Sequence, residues 1–78
     1  DKRGGYIVVE TKKGRSSDKV VGQILRYMGW VQKNLGSSVK GIVVVAEPDP
    51  RLEYSLLPLK NVEIKYYKVK FELSDRAN

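Results

Sequence analysis

Two β-branched runs separated by one helix-length segment constrain this chain more than any other feature. Tyr6 to Lys12 reads as a strand, rich in valine, isoleucine and tyrosine. Gly41-Ile-Val-Val-Val-Ala46 lies inside a second run, Val39 to Ala46, which is almost wholly apolar, the pattern expected of a strand buried on both faces. Between them Val20, Val21, Ile24, Leu25, Met28, Val31 and Leu35 recur at helical spacing, the pattern of a core-facing stripe. Ser16 or Ser17 suits the N-cap, Asp18 suits the positive end of the helix, and Gly36 suits the stop. Strand, helix, strand in this order implies a parallel pair joined by a right-handed crossover, hence an α/β chain.

The flanks are less regular. Asp1-Lys-Arg-Gly-Gly5 is a turn-type cluster and reads as the tip of a hairpin whose first arm precedes the chain. Glu47-Pro-Asp-Pro50 breaks the second strand, and Arg51 to Leu57 suits a short helix stopped by Pro58. Val62 to Leu73 reads as a last strand with its apolar phase switching at Tyr66-Tyr67, where a bulge or bend is expected; 74–78 reads as a tail. Gly22 and Gly29 interrupt the long helix seven residues apart on one face, and close packing against the sheet is the expected compensation. The whole reads as a single partial domain: 1–5 the turn, 6–47 a strand–helix–strand core, 48–78 the short helix, final strand and tail.

Composition removes whole classes of chemistry. With no cysteine there is no disulfide and no thiolate metal site. With no histidine there is no imidazole ligand and no Ser-His triad. Carboxylate, lysine, tyrosine or an oxygen-bound metal remain. The net charge of +6 is uneven: residues 1–36 hold eight Lys and Arg against three acids, residues 37–78 seven against six. The first half is therefore the better surface for a polyanion, although lysines that serve only solubility give the same count. No apolar run reaches the roughly 20 residues of a membrane span, and no signal peptide is visible, so a cytoplasmic, non-membrane protein is expected.

Glu10-Thr11-Lys12 is the most informative site. In a strand, Tyr6, Val8, Glu10 and Lys12 share one face and Ile7, Val9 and Thr11 the other. A carboxylate able to bind Mg²⁺ and a lysine able to position water or steady phosphate charge thus stand side by side. Taken alone, a strand-end ion pair is the ordinary reading of Glu-x-Lys, and Glu63-Ile64-Lys65 is a second copy. Gln23 and Tyr27, four apart on the helix, share a face that could border a cleft or simply meet solvent. Lys13, Arg15, Lys19 and Arg26 surround this region and could contact phosphates; a solvated loop and helix start is the equal alternative. Trp30, Tyr54, Tyr66 and Tyr67 could stack on bases, but core positions are the ordinary expectation for aromatics in so small a domain.

The strand Tyr-Ile-Val-Val-Glu-Thr-Lys-Lys-Gly, the helix with Gln-Ile-Leu-Arg-Tyr and the buried Gly-Ile-Val-Val-Val strand together resemble the core of the PD-(D/E)xK nucleases over residues 1–47. The Gln-x-x-x-Tyr element is similar to that of their RecB-like branch, and the arrangement resembles the catalytic domain of NucS-type endonucleases. The resemblance implies a restriction-endonuclease-like core with a mixed sheet, its N-terminal part preceding residue 1. It implies DNA as substrate and Mg²⁺ or Mn²⁺ as cofactor, held by Glu10, the Thr11 carbonyl and an aspartate. It makes Lys12 the catalytic lysine and places Gln23 and Tyr27 at the site's border. Asp1, at the hairpin tip, is poorly placed to be that aspartate, which is expected upstream, so the chain alone should be inactive. Its unpaired edge should favour homo-oligomers. The alternatives are a nuclease-like module that binds nucleic acid without cutting it, and a structural or assembly domain.

Overall fold

The computed structural model describes residues 5–68 and residue 73. Five elements follow one another: β1 (Gly5–Thr11), α1 (Ser17–Leu35), β2 (Ser38–Val45), α2 (Pro50–Leu56) and β3 (Val62–Tyr66). The strands form one sheet in the order β1-β2-β3, and both pairings are parallel. The α/β class and the parallel strand–helix–strand unit are as the sequence implies. Gly5 belongs to β1; the rest of the expected turn lies outside the described residues.

Local chemistry sets the limits of α1. Ser16 is the N-cap, and its hydroxyl accepts the Lys19 amide at 3.2 Å. Gly36 ends the helix at φ 62°, a conformation that costs glycine nothing, and its amide donates to the Gln32 carbonyl at 3.2 Å. Asp49 caps α2 by accepting the Leu52 amide at 3.0 Å, and Pro50 occupies the first turn, where its missing N–H is no loss.

One layer of core lies between the sheet and the two helices. Val20, Ile24 and Met28 of α1 and Leu52 and Leu56 of α2 pack with Val39, Val43, Val45 and Val62 of the sheet. Gly41 of β2 sits directly beneath α1. A Cβ there would lie 2.6 Å from Met28 Sδ and 3.0 Å from Ile24 Cδ1, so glycine is what lets the helix settle on the strand. This is the close approach expected of Gly22 and Gly29, transferred to the other partner. Both helical glycines are exposed, and a Cβ on either meets no atom within 4 Å.

Other expectations fail on the same geometry. β2 is buried on one face only: Val39, Gly41, Val43 and Val45 are covered by helix, while Ile42 and Val44 on the other face are half-buried and Lys40 is exposed. Leu25 and Leu35, assigned to the core stripe, are exposed because the stripe that meets the sheet is narrower than the apolar arc of α1. Trp30, Tyr54, Tyr66 and Tyr67 are all exposed, the last being the least so at 41%. A single layer of two helices on three short strands has no interior large enough to take them. The third strand ends at Tyr66, where the apolar phase changes, although the Tyr67 amide still donates to the Val45 carbonyl at 3.0 Å. Its expected continuation over 69–72 and the tail over 74–78 lie outside the described residues.

Candidate functional site

The carboxyl ends of β1 and β2 and the amino ends of both helices meet at one edge of the domain. Glu10 and Lys12 point to the helix-covered face of β1, as strand alternation requires. They do not pair with each other. Glu10 Oε2 accepts from the Arg15 guanidinium at 3.1 Å, and Lys12 Nζ lies 3.1 Å from Asp49 Oδ2. Two cation–carboxylate pairs therefore stand next to each other at the strand end.

Arg15 reaches Glu10 through a tight turn. Its amide donates to the Lys12 carbonyl at 2.8 Å, and Gly14 takes φ 70° to make the reversal. The guanidinium then donates to Glu10, to the Thr11 carbonyl and to Gln23 Oε1. Gln23 is brought there by the second turn of α1. Tyr27, one turn further along, is half-exposed at 45%, and no hydrogen bond described joins it to this group. Arg15, expected to contact phosphate, is thus engaged internally. Lys19 and Arg26 project from the exposed side of α1, and Lys13 is exposed on the loop.

Asp49 organises the second pair. Its carboxylate accepts the Leu52 amide at 3.0 Å, the Ser17 hydroxyl at 3.0 and 3.2 Å, and the Lys12 ammonium. The capping bond from Leu52 holds this carboxyl below its ordinary value of 3.8; partial burial opposes that effect, and the bonds from Lys12 and Ser17 add to it. Ser17, buried at the start of α1, thereby ties the two helix starts together. The sequence offers Ser17 only as an alternative N-cap and Asp49 only as part of a strand break, so neither is expected at this site. The signal for Asp49 was present, since an Asp-Pro step before a helical segment is an N-cap followed by proline at the first helical position. Nothing in the sequence linked it to Lys12. Beside these pairs is a cleft of about 300 Å³ lined by Lys12, Lys13, Glu47, Asp49 and Tyr67 among others.

This setting separates the two Glu-x-Lys copies. Glu63 and Lys65 lie on the open face of the sheet, 48% and 64% exposed, and face each other at 3.6 Å in solvent. Such a pair contributes little. The Glu10 copy has its side chain 13% exposed, between strand and helix.

The chain is similar to Endonuclease NucS of Sulfolobus acidocaldarius. The two are 32% identical over 75 residues, a stretch that takes in 96% of this chain and 28% of that protein. The chain therefore spans under a third of the relative's length. No family model matches it, and no solved structure matches it significantly.

Glu10 Oε2, the Thr11 carbonyl and Gln23 Oε1 converge on a single cationic group, and all three are hard oxygen donors of the kind Mg²⁺ and Mn²⁺ accept. They fit such an ion in kind. They supply one carboxylate, and among the described residues no three Asp, Glu, His or Cys side chains come together as a complete metal cluster. Among the same residues no helix is long and apolar enough to cross a membrane.

Proposed function

We propose that this chain is part of a metal-dependent nuclease that hydrolyses DNA phosphodiester bonds. The observation that carries the reading is the meeting of Glu10, the Thr11 carbonyl and Gln23 around the one guanidinium of Arg15 with Lys12 beside them, in a chain similar to Endonuclease NucS. Glu10, the Thr11 carbonyl and an upstream aspartate would hold Mg²⁺ or Mn²⁺, which when bound would supply neutralisation of phosphate charge and acidification of a water. Lys12, fixed through Asp49, presents its ammonium toward the cleft and steadies charge on the phosphate. Gln23 orients Glu10's neighbourhood, and Tyr27 borders it. Lys13, Lys19 and Arg26 give a cationic approach for the DNA backbone, sensitive to salt.

The single carboxylate favours one alternative for the chain by itself. Mg²⁺ keeps its waters and takes one or two carboxylates plus substrate oxygens. With Glu10 alone the chain binds nucleic acid through its basic first half but does not cut it.

The test is a cleavage time course on single-stranded, double-stranded and branched DNA with the longer protein of which this chain is proposed to be part. It should cut in Mg²⁺ or Mn²⁺ and stop with chelator. Glu10→Gln should abolish cutting with the fold intact, Lys12→Ala should do the same with metal still bound, and Gln23→Ala should be milder. No cutting by the longer wild type, or parental cutting by Glu10→Gln, removes the nuclease reading and leaves the binding module.

A further inference from the structure

The most unusual contact at this site is the one the charge pattern did not suggest. Arg15 belongs to the basic first half, and a solvent-facing loop arginine has no need to fold back. Here its guanidinium donates to three oxygens from three different places: the Glu10 carboxylate on β1, the Thr11 carbonyl at the strand end and the Gln23 amide oxygen on α1. The Arg15 side chain is left 31% exposed and the Glu10 side chain 13%. None of the three partners is a donor. Together they form a cradle for one positive charge, and the arginine is the positive charge that fills it.

A divalent ion using Glu10 and the Thr11 carbonyl takes two of the same oxygens. Two cations on shared ligands a few ångströms apart repel one another in a partly buried site, so the two compete for the same oxygens. The arginine fork is also well matched to oxygen acceptors, so it is a real competitor and not a loose neighbour.

We propose that Arg15 is the resident cation of this cradle and that a divalent metal binds only by displacing it. The inference rests on the proposed metal site at Glu10. The mechanical means are in the loop. A Cβ at Gly14, which takes φ 70°, would meet no heavy atom within 4 Å, so space is open beside the turn that carries Arg15. Once released, the guanidinium is a free cation at the rim of the site, where the phosphate of a nucleic acid is a suitable new partner. Loading of the metal and engagement of the anion are thereby linked through one side chain.

The experiment is a Mn²⁺ titration of the longer protein, in which the ligand set at Glu10 is proposed to be complete, followed by the electron paramagnetic resonance of the free ion. Wild type, Arg15→Ala and the double variant Arg15→Ala with Glu10→Gln are compared. Arg15→Ala should bind Mn²⁺ about tenfold or more tightly than wild type, since the competing charge is gone. The double variant should lose that gain, because the cradle has lost its carboxylate. Should Arg15→Ala lose the helical circular dichroism of wild type, Arg15→Gln gives the same comparison with the loop's polarity kept. Equal affinity in wild type and the Arg15 variant overturns the proposal, and so does Mn²⁺ binding that neither shows. These outcomes are independent of the cleavage assay. DNA cutting by the longer protein with no gain on removing Arg15 sinks the exchange and keeps the nuclease. Tightened Mn²⁺ binding without cutting does the reverse.

Discussion

Asp49 receives the Leu52 amide, the Ser17 hydroxyl and the Lys12 ammonium on one carboxylate, and it does so only when ionised. Its pKa is held below 3.8, mainly by the capping bond. A carboxyl whose folded value is depressed adds stability that is fully present above its unfolded value and disappears as pH falls through the folded one. The stability difference between wild type and Asp49→Asn should therefore be constant from neutral pH down to about pH 5 and shrink toward zero below pH 3.8. Urea unfolding followed at a series of pH values measures it. If the two proteins lose stability in parallel on acidification, ionised Asp49 is not what holds this corner. At this scale the sequence was partly legible. Strand alternation put Glu10 and Lys12 on one face. Their partners were hidden, because Arg15 arrives through a glycine turn and Asp49 from 37 residues beyond Lys12, neither of which follows from a local period.

The long helix shows what local and nonlocal signals each decide. Capping is local, and Ser16 and Gly36 bound α1 where the sequence places them. Which face the helix buries depends on the strand below it, so the helical period alone does not show that Leu25, Leu35, Gly22 and Gly29 lie off that face. The structure turns that difference into a prediction. Gly22 and Gly29 are exposed, neither takes a positive φ, and an added Cβ on either meets nothing within 4 Å. Alanine at each should stabilise the protein by about 0.5 to 1 kcal/mol. Gly41→Ala should do the opposite. Its Cβ presses on Met28 and Ile24, and although both side-chain ends can yield, repacking should cost about 1 to 2 kcal/mol. Thermal unfolding of the three single variants checks the signs. A stabilised Gly41→Ala, or a destabilised Gly22→Ala, would mean that α1 does not lie on β2 as described.

At the scale of the whole molecule, the sheet is covered by helix on one side only among the described residues. Its other face carries Ile7 at 62% exposure and Val9 at 56%, beside half-buried Ile42 and Val44. In the described sheet β1 is also an edge, paired with β2 on one side alone. An apolar face next to an unpaired edge invites pairing with another chain. The chain by itself should therefore self-associate. Its net charge of +6 acts against this, and that opposition supplies the decisive control. Salt screens repulsion between like-charged chains, with a Debye length near 10 Å at 0.1 M, so association should strengthen as salt is raised. Binding of DNA to the same protein should weaken over the same range, because it depends on displaced counterions. Val9→Lys places a charge in the open face beside the edge and should restore the monomer without disturbing the core, since Val9 points away from both helices. Sedimentation velocity over a series of salt concentrations reads all of this. A wild type that stays monomeric at high concentration and high salt would show that the open face and edge of this sheet do not drive assembly. Association that persists unchanged in Val9→Lys would place the contact elsewhere, for example on the exposed side of α1 or around Tyr54 and Leu57, where other apolar side chains are exposed.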